Sequence, residues 1–570
     1  MRWTIALAVL VCIAAVPALS GAHPERTTVF PELGGKVPKV RHSGKAIFVC
    51  NKGSESRIKR AFSGAMKKQR LRQLRRCKHR TIQSAIDDAK SGYRIRILPG
   101  KYRERPSRRI KFGSFSNPPC ADDYVETEGF QNAAPPPAGP RSNDPPVRPN
   151  RNYQVDCPNS KNLIEVVGDP RPEPDPDNPI DPKCLQLCNL QIEGLGAKPK
   201  QVKLIGDRKK LDVLRADRAD GIVIRNLLVE QSAFNGIDVV ETEGFRIENV
   251  VARYNQDYGV LSFTSGTGLY NRVTAYGNGD SGVYPGSNQK GCRTNYYTNP
   301  EANPDDGTCG TDPGSRAGCS GTTTEIKNSN SFGNTLGYSG TAGNSTYLHD
   351  NRFHDNAAGL STDSFAQGHP GMPQECVHWV DNEIYSNNFN DFTEARQDYC
   401  SKTPFEERKR KIVCPQFQVP VGTGALIAGG NRNLIENNRI YDNWRYGIML
   451  FSVPASIRND TDPAHQQDTS NGNRIIGNAM GVGPGGKAAP NGSDFFWDQG
   501  GEGNCFQGNH GPHGSAATTA TPPLLACPGS PVYVTPNPAT LGPLVPCAAW
   551  DPKTQHMPPG CDWFMTPPKP

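Results

Sequence analysis

Beyond its first sixteen residues the sequence has no long apolar run. The apolar stretch from Ile5 to Val16 follows a basic residue and precedes the small residues 18–22, which is the pattern of a secretory signal peptide. The stretch is too short to cross a bilayer, and no other segment approaches the length that a membrane span needs. The sequence therefore predicts a signal peptide over residues 1–22 and a mature chain, secreted or held in the cell envelope, without a transmembrane segment.

A paired set of zinc-ligating cysteines is also lacking. Cys184-x-x-x-Cys188 is the nearest candidate, but no second pair with matching spacing accompanies it. One of the 17 cysteines, Cys12, lies in the predicted signal peptide, so an even set remains, as disulfides in an oxidising compartment require. The sequence does not determine the pairing, although Cys184 with Cys188, or Cys309 with Cys319, are close enough to cross-link insertions.

Acidic residues are scarce between Arg57 and Lys111, where twenty Lys or Arg residues stand against three acids. The formal net charge of the whole chain is +8. A basic segment of this kind attracts an anionic polymer, whether an acidic polysaccharide, a cell-wall polyanion or nucleic acid. A solvated basic face without a partner is the alternative interpretation.

Immediately downstream, the sequence predicts a short helix and then a strand. Apolar residues within 81–89 recur on one helical face, and 93–98 alternates as a strand does before Pro99-Gly100 ends it. A helix before the first strand would cover an end of a sheet that is otherwise open to pairing.

A repeat of 22 to 23 residues follows. Gly236, Gly259 and Gly282 are spaced 23 apart, and an apolar residue follows each of them. A second phrase, an apolar residue two positions before an Asn, keeps the same period at 224–226 and 247–249. Stacked coils place equivalent residues about 4.8 Å apart, so Asn side chains can hydrogen-bond along the stack.

The pattern predicts an all-β chain: a right-handed parallel β-helix of about ten coils over residues 81–510, with a short N-terminal capping helix and disulfide-linked loop insertions. Proline-rich stretches at 133–150 and 169–183 cannot hold a strand ladder and are predicted insertions. A basic segment, 23–80, precedes the β-helix, and a Pro-rich extension, 511–570, follows it.

Four acids are candidate metal ligands. Asp257 and Asp280 are one repeat apart, so the sequence predicts that they stack within about 5 Å. Like charges that close are screened by water, share a proton or bridge a cation. Asp238 and Glu241 add oxygen ligands nearby, and oxygen ligands favour calcium. The alternative is that all four are solvated acids at turns.

Three residues are candidate acid–base groups. Asp363 lies four residues past a repeat glycine, where it can face a groove, and His369 follows on the next loop. Tyr284 is a candidate for proton donation or sugar stacking, with a half-buried aromatic residue as the alternative. The phrases 349–351 and 354–356, each His-Asp-Asn, fall on the repeated Asn turn and are predicted to be structural.

The chain from Thr81 to about His510 resembles the pectin-lyase-like superfamily, and within it the uncharacterised bacterial secreted right-handed parallel β-helix repeat proteins. The phrases "TIQSAI", "ILPGKYRE", "ADGIVIRN", "GDSGVYPGS" and "NCFQGN" carry the resemblance. The superfamily contains pectate lyases, polygalacturonases and alginate epimerases, whose substrate lies in a groove along one sheet, and several members use calcium. The resemblance therefore implies a carbohydrate ligand, while fold analogy alone does not define an activity.

The motifs of individual activities do not carry over. The phrase at 368–370 lacks the last glycine of the Gly-His-Gly of polygalacturonases, and the Asp-Pro-His of alginate epimerases is absent. The leading hypothesis is a secreted, monomeric polysaccharide lyase that uses calcium on an acidic glycan; a glycoside hydrolase or an epimerase is less favoured. The rival is a non-catalytic cell-envelope or adhesion protein that binds anionic polymers. Nucleic acid is the less favoured polyanion.

Overall fold

The structure, a computed structural model, contains two compact units. It describes residues 28–104, 162–171, 181–290, 319 and 321–570, apart from 33, 209, 366–368, 404–406, 456–460, 522, 545 and 551–556. The N-terminal unit comprises Ala22–Asn278 and Phe405–Val413. The C-terminal unit comprises 279–404 and 414–570.

Three helices follow the first strand of the N-terminal unit, α1 (Ser54–Ala61), α2 (Gly64–Arg75) and α3 (Ile82–Asp87); α1 and α2 carry many basic residues, and we call the three helices the basic cap. In α3 the apolar side chains face the core, and the Thr81 side chain accepts a hydrogen bond from the Ser84 N–H as an N-cap. This helix is the capping helix that the sequence predicts. Helices α1 and α2 were not predicted, since Ile58 is the one large apolar side chain of α1 that is buried.

Thirteen strands of the N-terminal unit pair in parallel and form three stacks. One stack contains β4, β7, β10 and β12, the second β1, β2, β5, β8, β11 and β13, and the third β3, β6, β9, β11 and β13. The strands are β1 Ala46–Val49, β2 Arg94–Ile97, β3 Gly100–Tyr102, β4 Ile164–Val167, β5 Gln191–Gly194, β6 Val202–Ile205, β7 Leu214–Asp217, β8 Ile222–Arg225, β9 Leu228–Glu230, β10 Ile237–Val240, β11 Glu243–Arg253, β12 Val260–Phe263 and β13 Gly266–Tyr276.

The predicted period is confirmed by the strand register. Ile237 pairs with Val260, and each follows a repeat glycine by one residue. At the corner between β8 and β9, Asn226 has a left-handed φ of 52°, and Asn249 has 53° one coil later. The Asn249 side-chain amide donates to the Asn226 side-chain oxygen at 3.0 Å. Asn tolerates this backbone conformation better than most residues, which explains its recurrence at the corner.

The C-terminal unit repeats the three-sided coil, so the chain is a right-handed parallel β-helix. Its stacks are β14-β17-β20-β23-β26-β29, β15-β18-β21-β24-β27-β30 and β16-β19-β22-β25-β28. The six coils here and the four of the β4 stack agree with the predicted number of about ten. The strands are β14 Ser281–Gly286, β15 Thr324–Lys327, β16 Asn330–Phe332, β17 Leu336–Thr341, β18 Thr346–His349, β19 Arg352–His354, β20 Ala358–Asp363, β21 His378–Val380, β22 Glu383–Tyr385, β23 Thr423–Ala428, β24 Leu434–Glu436, β25 Arg439–Tyr441, β26 Tyr446–Phe451, β27 Arg474–Ile476, β28 Ala479–Met480, β29 Ser493–Trp497 and β30 Cys505–Gln507.

Two α-helices lie outside these stacks, α4 (Glu394–Lys402) and α5 (Pro538–Leu541). Helix α4 begins at the N-cap Thr393, whose side chain accepts from the Arg396 N–H. No helix in the described part of the chain has the length and apolar character that a membrane span needs.

Two columns of asparagines, all buried except the half-buried Asn509, run through the C-terminal unit. In each column a side-chain amide donates to the side-chain oxygen of the next Asn at 2.9 to 3.1 Å. One column is Asn334, Asn356, Asn387, Asn443 and Asn491, and the other is Asn351, Asn382, Asn438, Asn478 and Asn509. The predicted hydrogen bonding along the stack is confirmed. Asn351 and Asn356 belong to the columns, so the two His-Asp-Asn phrases are structural at those positions.

Six disulfides are formed among the described residues: Cys50–Cys77, Cys184–Cys188, Cys319–Cys376, Cys400–Cys414, Cys505–Cys527 and Cys547–Cys561. The pairing of Cys184 with Cys188 is confirmed, and it excludes the alternative that these two thiols bind zinc. The pairing of Cys309 with Cys319 is wrong, because Cys319 is bonded to Cys376 instead. The predicted Pro-rich insertion 133–150 lies outside the described residues.

Replacing one Asn of a column should destabilise the C-terminal unit. The Asn387 side chain donates to Asn443 and to the Phe353 carbonyl, and it accepts from Asn356. Asn387→Ala leaves several buried polar groups unsatisfied, so we expect the free energy of unfolding to fall by about 3 kcal/mol in urea titration. The control is Asn390→Ala, whose side chain accepts the local Phe392 N–H, with an expected loss of about 1 kcal/mol or less. Equal losses would contradict the stabilising role of the column.

Candidate functional site

Two of the predicted metal ligands are held by buried arginines. Asp238 lies in β10, and one of its oxygens is 3.5 Å from a guanidinium nitrogen of Arg215. Glu241 directly follows β10 and accepts from Arg218 Nε at 2.8 Å, while its other oxygen accepts the Val29 N–H at 2.7 Å. All four charged side chains are almost fully buried. The negative charge that was predicted to attract a cation therefore faces guanidinium groups.

Arg215 and Arg218 were missed at the sequence level. Arg215 in β7 pairs in register with Glu165 of β4 and with Asp238 of β10, so acid, base and acid alternate along the stack. Arg218 precedes Glu241 by 23 residues. The spacing of 23 residues is the repeat period, so the sequence contained the signal for this pair. The signal becomes visible only when the residues around Arg218 and Glu241 are aligned with each other as equivalent positions of two coils. Removing one partner of a buried ion pair destabilises a protein strongly, because the other charge stays buried without compensation.

The remaining two predicted metal ligands belong to different units. Asp257 lies in the turn before β12 in the N-terminal unit, and Asp280 directly precedes β14 in the C-terminal unit; both are buried. Within the described residues, no group of three or more His, Cys, Asp or Glu side chains is arranged to hold a metal ion. A calcium site at these acids stays a prediction.

In the C-terminal unit, the outward-facing side chains of the β14 stack change from polar to apolar along the stack. One column in register is Ser339, Ser361, Leu426, Met449 and Phe496, and the neighbouring column is Thr341, Asp363, Ala428 and Phe451. Tyr284 adjoins the first column, because its neighbour Val283 pairs with Tyr338. We call the part of this face on β14, β17 and β20 the polar half, and the part on β23, β26 and β29 the apolar half.

The apolar half is covered by the C-terminal extension and by a loop insertion. Trp550, Trp563 and Phe564 of the extension pack in one core cluster with the outward apolar residues. Phe392 from the insertion contacts the Phe564 ring at 4.9 Å between centroids. The Cys547–Cys561 disulfide joins two segments of the cover. This part of the face is therefore closed by the chain itself.

Tyr284 and Asp363 lie on the polar half, and the loop after β20 brings His369, the other predicted acid–base residue, into contact with Tyr284. The Tyr284 hydroxyl lies 3.0 Å from His369 Nε2, within hydrogen-bonding distance. Tyr284 is 1% exposed and His369 5%. A Cβ at Gly286 would lie 2.5 Å from the Tyr284 ring, so glycine is required there to admit the phenol. A phenol and an imidazole in contact can exchange a proton.

Asp363, the third residue, lies two coils from Tyr284 on the same face. Its carboxylate accepts from Thr341 Oγ1 at 3.1 Å, from Ser361 Oγ at 3.4 Å and from the Phe365 N–H at 3.3 Å. Burial raises the pKa of Asp363 to about 6, although these hydrogen bonds oppose the rise. An acid with that pKa exchanges protons near neutral pH, which is the range that acid–base catalysis uses.

His354 is not part of this site. Its Nδ1 lies 2.7 Å from Asp355 Oδ2, and its ring stacks on Phe332 and Tyr385 at centroid distances of 5.2 and 4.9 Å. Tyr385 stacks in turn on Tyr441 at 4.9 Å. Phe332, His354, Tyr385 and Tyr441 thus form an aromatic column, and the predicted structural role of His354 is confirmed, since its ring stacks within this column and its Nδ1 contacts Asp355.

Neither a family model nor a curated protein matches the sequence. Solved structures do match. The A-modules of the mannuronan C-5 epimerases AlgE6 and AlgE4 of Azotobacter vinelandii are 13% and 11% identical, each match covering 78% of this chain and 95% of theirs, with TM-scores of 0.32 and 0.34. Tailspike protein 3 of bacteriophage CBA120 is 9% identical over 58% of this chain and 46% of its own, with a TM-score of 0.27. Similarities at this level carry no argument about activity, and the β-helical fold is established by the strand pairing.

Asp363 should make stability depend on pH. Its folded pKa of about 6 exceeds the ordinary value of 3.8, so the native state keeps a proton that the unfolded chain releases, and the free energy of unfolding falls as pH rises through this window. Asp363→Asn removes the titration. Urea unfolding at pH 4 and at pH 8 gives the free energy of unfolding of the variant minus that of the wild type at each pH. We expect this difference to be more positive at pH 8 than at pH 4, by up to about 3 kcal/mol. A difference between variant and wild type that is equal at the two pH values would contradict the raised pKa of Asp363.

Proposed function

We propose that the protein is a secreted polysaccharide-active protein, and that it acts as a lyase on an acidic glycan. The observation that carries the proposal is the contact between Tyr284 and His369 on the polar half of the β14 stack. The six disulfides support folding in an oxidising compartment, outside the cytoplasm. The basic charge of the chain supports an acidic rather than a neutral glycan.

The proposed reaction is a β-elimination at a uronate. His369 removes the proton at C5, the electron pair forms the C4–C5 double bond, and the C4–O bond of the glycosidic link breaks. Tyr284 gives its proton to the leaving oxygen, and the proton now on His369 restores the phenol across their hydrogen bond. Asp363, when protonated, can donate a hydrogen bond to the uronate carboxylate and so favour loss of the neighbouring proton.

Calcium is the proposed cofactor for neutralising the same carboxylate. Asp238 and Glu241 already face arginines, so a cation there would compete with guanidinium groups, and the test uses Asp257 and Asp280, each taken singly. The measurement is calcium titration by calorimetry on the wild type and on Asp257→Asn and Asp280→Asn. Binding that weakens in these variants supports the cofactor, and unchanged or undetectable binding removes it from the proposal.

The burial of the pair favours a second candidate, a non-catalytic protein that binds an anionic glycan. Tyr284 and His369 are at most 5% exposed, so cleavage requires the residues around the pair to open to a glycan while the two side chains stay in contact. A binding protein has no such requirement. The two candidates differ in product, because only a lyase generates an unsaturated uronate.

We predict that Tyr284→Phe and His369→Gln each lower the rate of product formation by about 100-fold or more, since each removes one member of a proton-transferring pair. The assay follows the absorbance of the unsaturated product on pectate, alginate, hyaluronan and bacterial capsular glycans, with calcium and with chelator. Glycan affinity, measured in parallel, should change little.

The matched controls are Tyr385→Phe and His354→Gln, which make the same chemical changes in the aromatic column of the same unit. They should leave the rate within about twofold, because they do not contact the pair. Wild-type protein that is retained on a glycan but forms no product would eliminate the lyase and leave the binding protein.

A further inference from the structure

A cavity in the N-terminal unit lies between the basic cap and the first strands. Its volume is about 300 Å³, at the lower end of the range of small-molecule sites, about 300–1,000 Å³. Five cations line it: Arg57 and Arg60 of α1, Lys101 of β3, Lys200 of the 3-10 turn before β6, and Lys203 of β6. No acid lines it. None of the polar-half residues of the C-terminal unit takes part.

The strand register places two of these lysines directly opposite each other. Lys101 pairs with Lys203 between β3 and β6, and both side chains point away from the core. Adjacent strands are about 4.8 Å apart, and like charges directly across a strand pair are destabilising. Among the described residues, no carboxylate lies within ion-pair distance of any of the five cations. Helix α1, strands β3 and β6 and the turn that holds Lys200 therefore concentrate positive charge, and no ion pair with a described carboxylate neutralises it.

The surroundings of Lys203 add to this excess. Burial lowers the pKa of Lys203, the charges of Arg253, Lys101 and Arg410 lower it further, and Glu230 opposes them. Glu230, however, is engaged by Arg253 and by Arg410, at 2.6 Å each. An anion in the cavity would add negative charge beside Lys203 to that of Glu230.

We propose that this cavity binds the acidic group of a sugar, a carboxylate, sulfate or phosphate, within an anionic polysaccharide. The cavity has room for one or two sugar rings, and Arg57 and Arg60 can bind such a group through two parallel hydrogen bonds. The inference rests on the acidic glycan of the proposed function, but it concerns binding and does not require cleavage.

The test is fluorescence anisotropy of the full-length protein with labelled oligosaccharides of one length: oligogalacturonate, a sulfated oligosaccharide, a phosphate-bearing oligosaccharide and neutral dextran. We expect at least one anionic probe to bind and dextran not to bind. The double variant Lys101→Gln/Lys203→Gln should weaken that binding at least tenfold. The best anionic probe identifies the acidic group.

The matched control is Lys68→Gln/Lys90→Gln, which removes the same charge from exposed positions that do not line the cavity. Its effect should stay below about twofold. Equal weakening in both double variants would mean a diffuse basic face and would overturn the site, as would binding to dextran or to no probe.

Lys101→Glu adds a second readout, since it should raise the thermal midpoint without ligand by relieving the charge opposite Lys203. The cleavage assay on wild-type protein is independent, so a missing product would remove the lyase and leave this result standing.

Discussion

The interaction on which the rest of the structure depends is the vertical hydrogen bond between equivalent asparagines. A coil of three short strands has no partner within itself, so every strand must pair with the coil above and below. The Asn columns fix that register at the corners, where the strand ladder is interrupted, and satisfy buried backbone groups there. Because the register is fixed, any side chain one period later lies directly above its equivalent. The charge pairs, aromatic stacks and polar half all follow from this geometry.

The same geometry explains why charged and apolar side chains are both buried on outward faces. A strand in a coil has one inward and one outward set of side chains, and the outward set is covered only where an insertion or extension packs on it. In the C-terminal unit the extension with Trp563 covers the apolar half, and the polar half keeps Tyr284, His369 and Asp363. In the N-terminal unit Arg215 and Arg218 neutralise buried acids on β10 and after it. Tyr284, His369 and Asp363 are themselves at most 5% exposed, so the polar half differs from the apolar half in the polarity of its side chains and not in their exposure.

The repeat made most of the fold predictable, because period, corner Asn and capping helix are local signals that one sequence displays directly. The contact of Tyr284 with His369 was not predictable, since it depends on how the loop after β20, with His369 85 residues beyond Tyr284, returns to β14. The pairing of Arg218 with Glu241 follows from the repeat period. Without that alignment, Glu241 is noticed only as one of several neighbouring acids, which is why it was predicted to bind a metal cation. The packing of the C-terminal extension on the apolar half could not be predicted either. The extension has no repeat, and its position on the sheet is determined by tertiary packing.

Hydrogen–deuterium exchange with and without a saturating acidic oligosaccharide tests most directly whether the polar half is where a glycan is bound and processed. The account predicts slower amide exchange in β14, β17 and β20 and in the segment 369–372 that carries His369. Protection confined to other parts of the chain, with exchange in these strands unchanged, would contradict it.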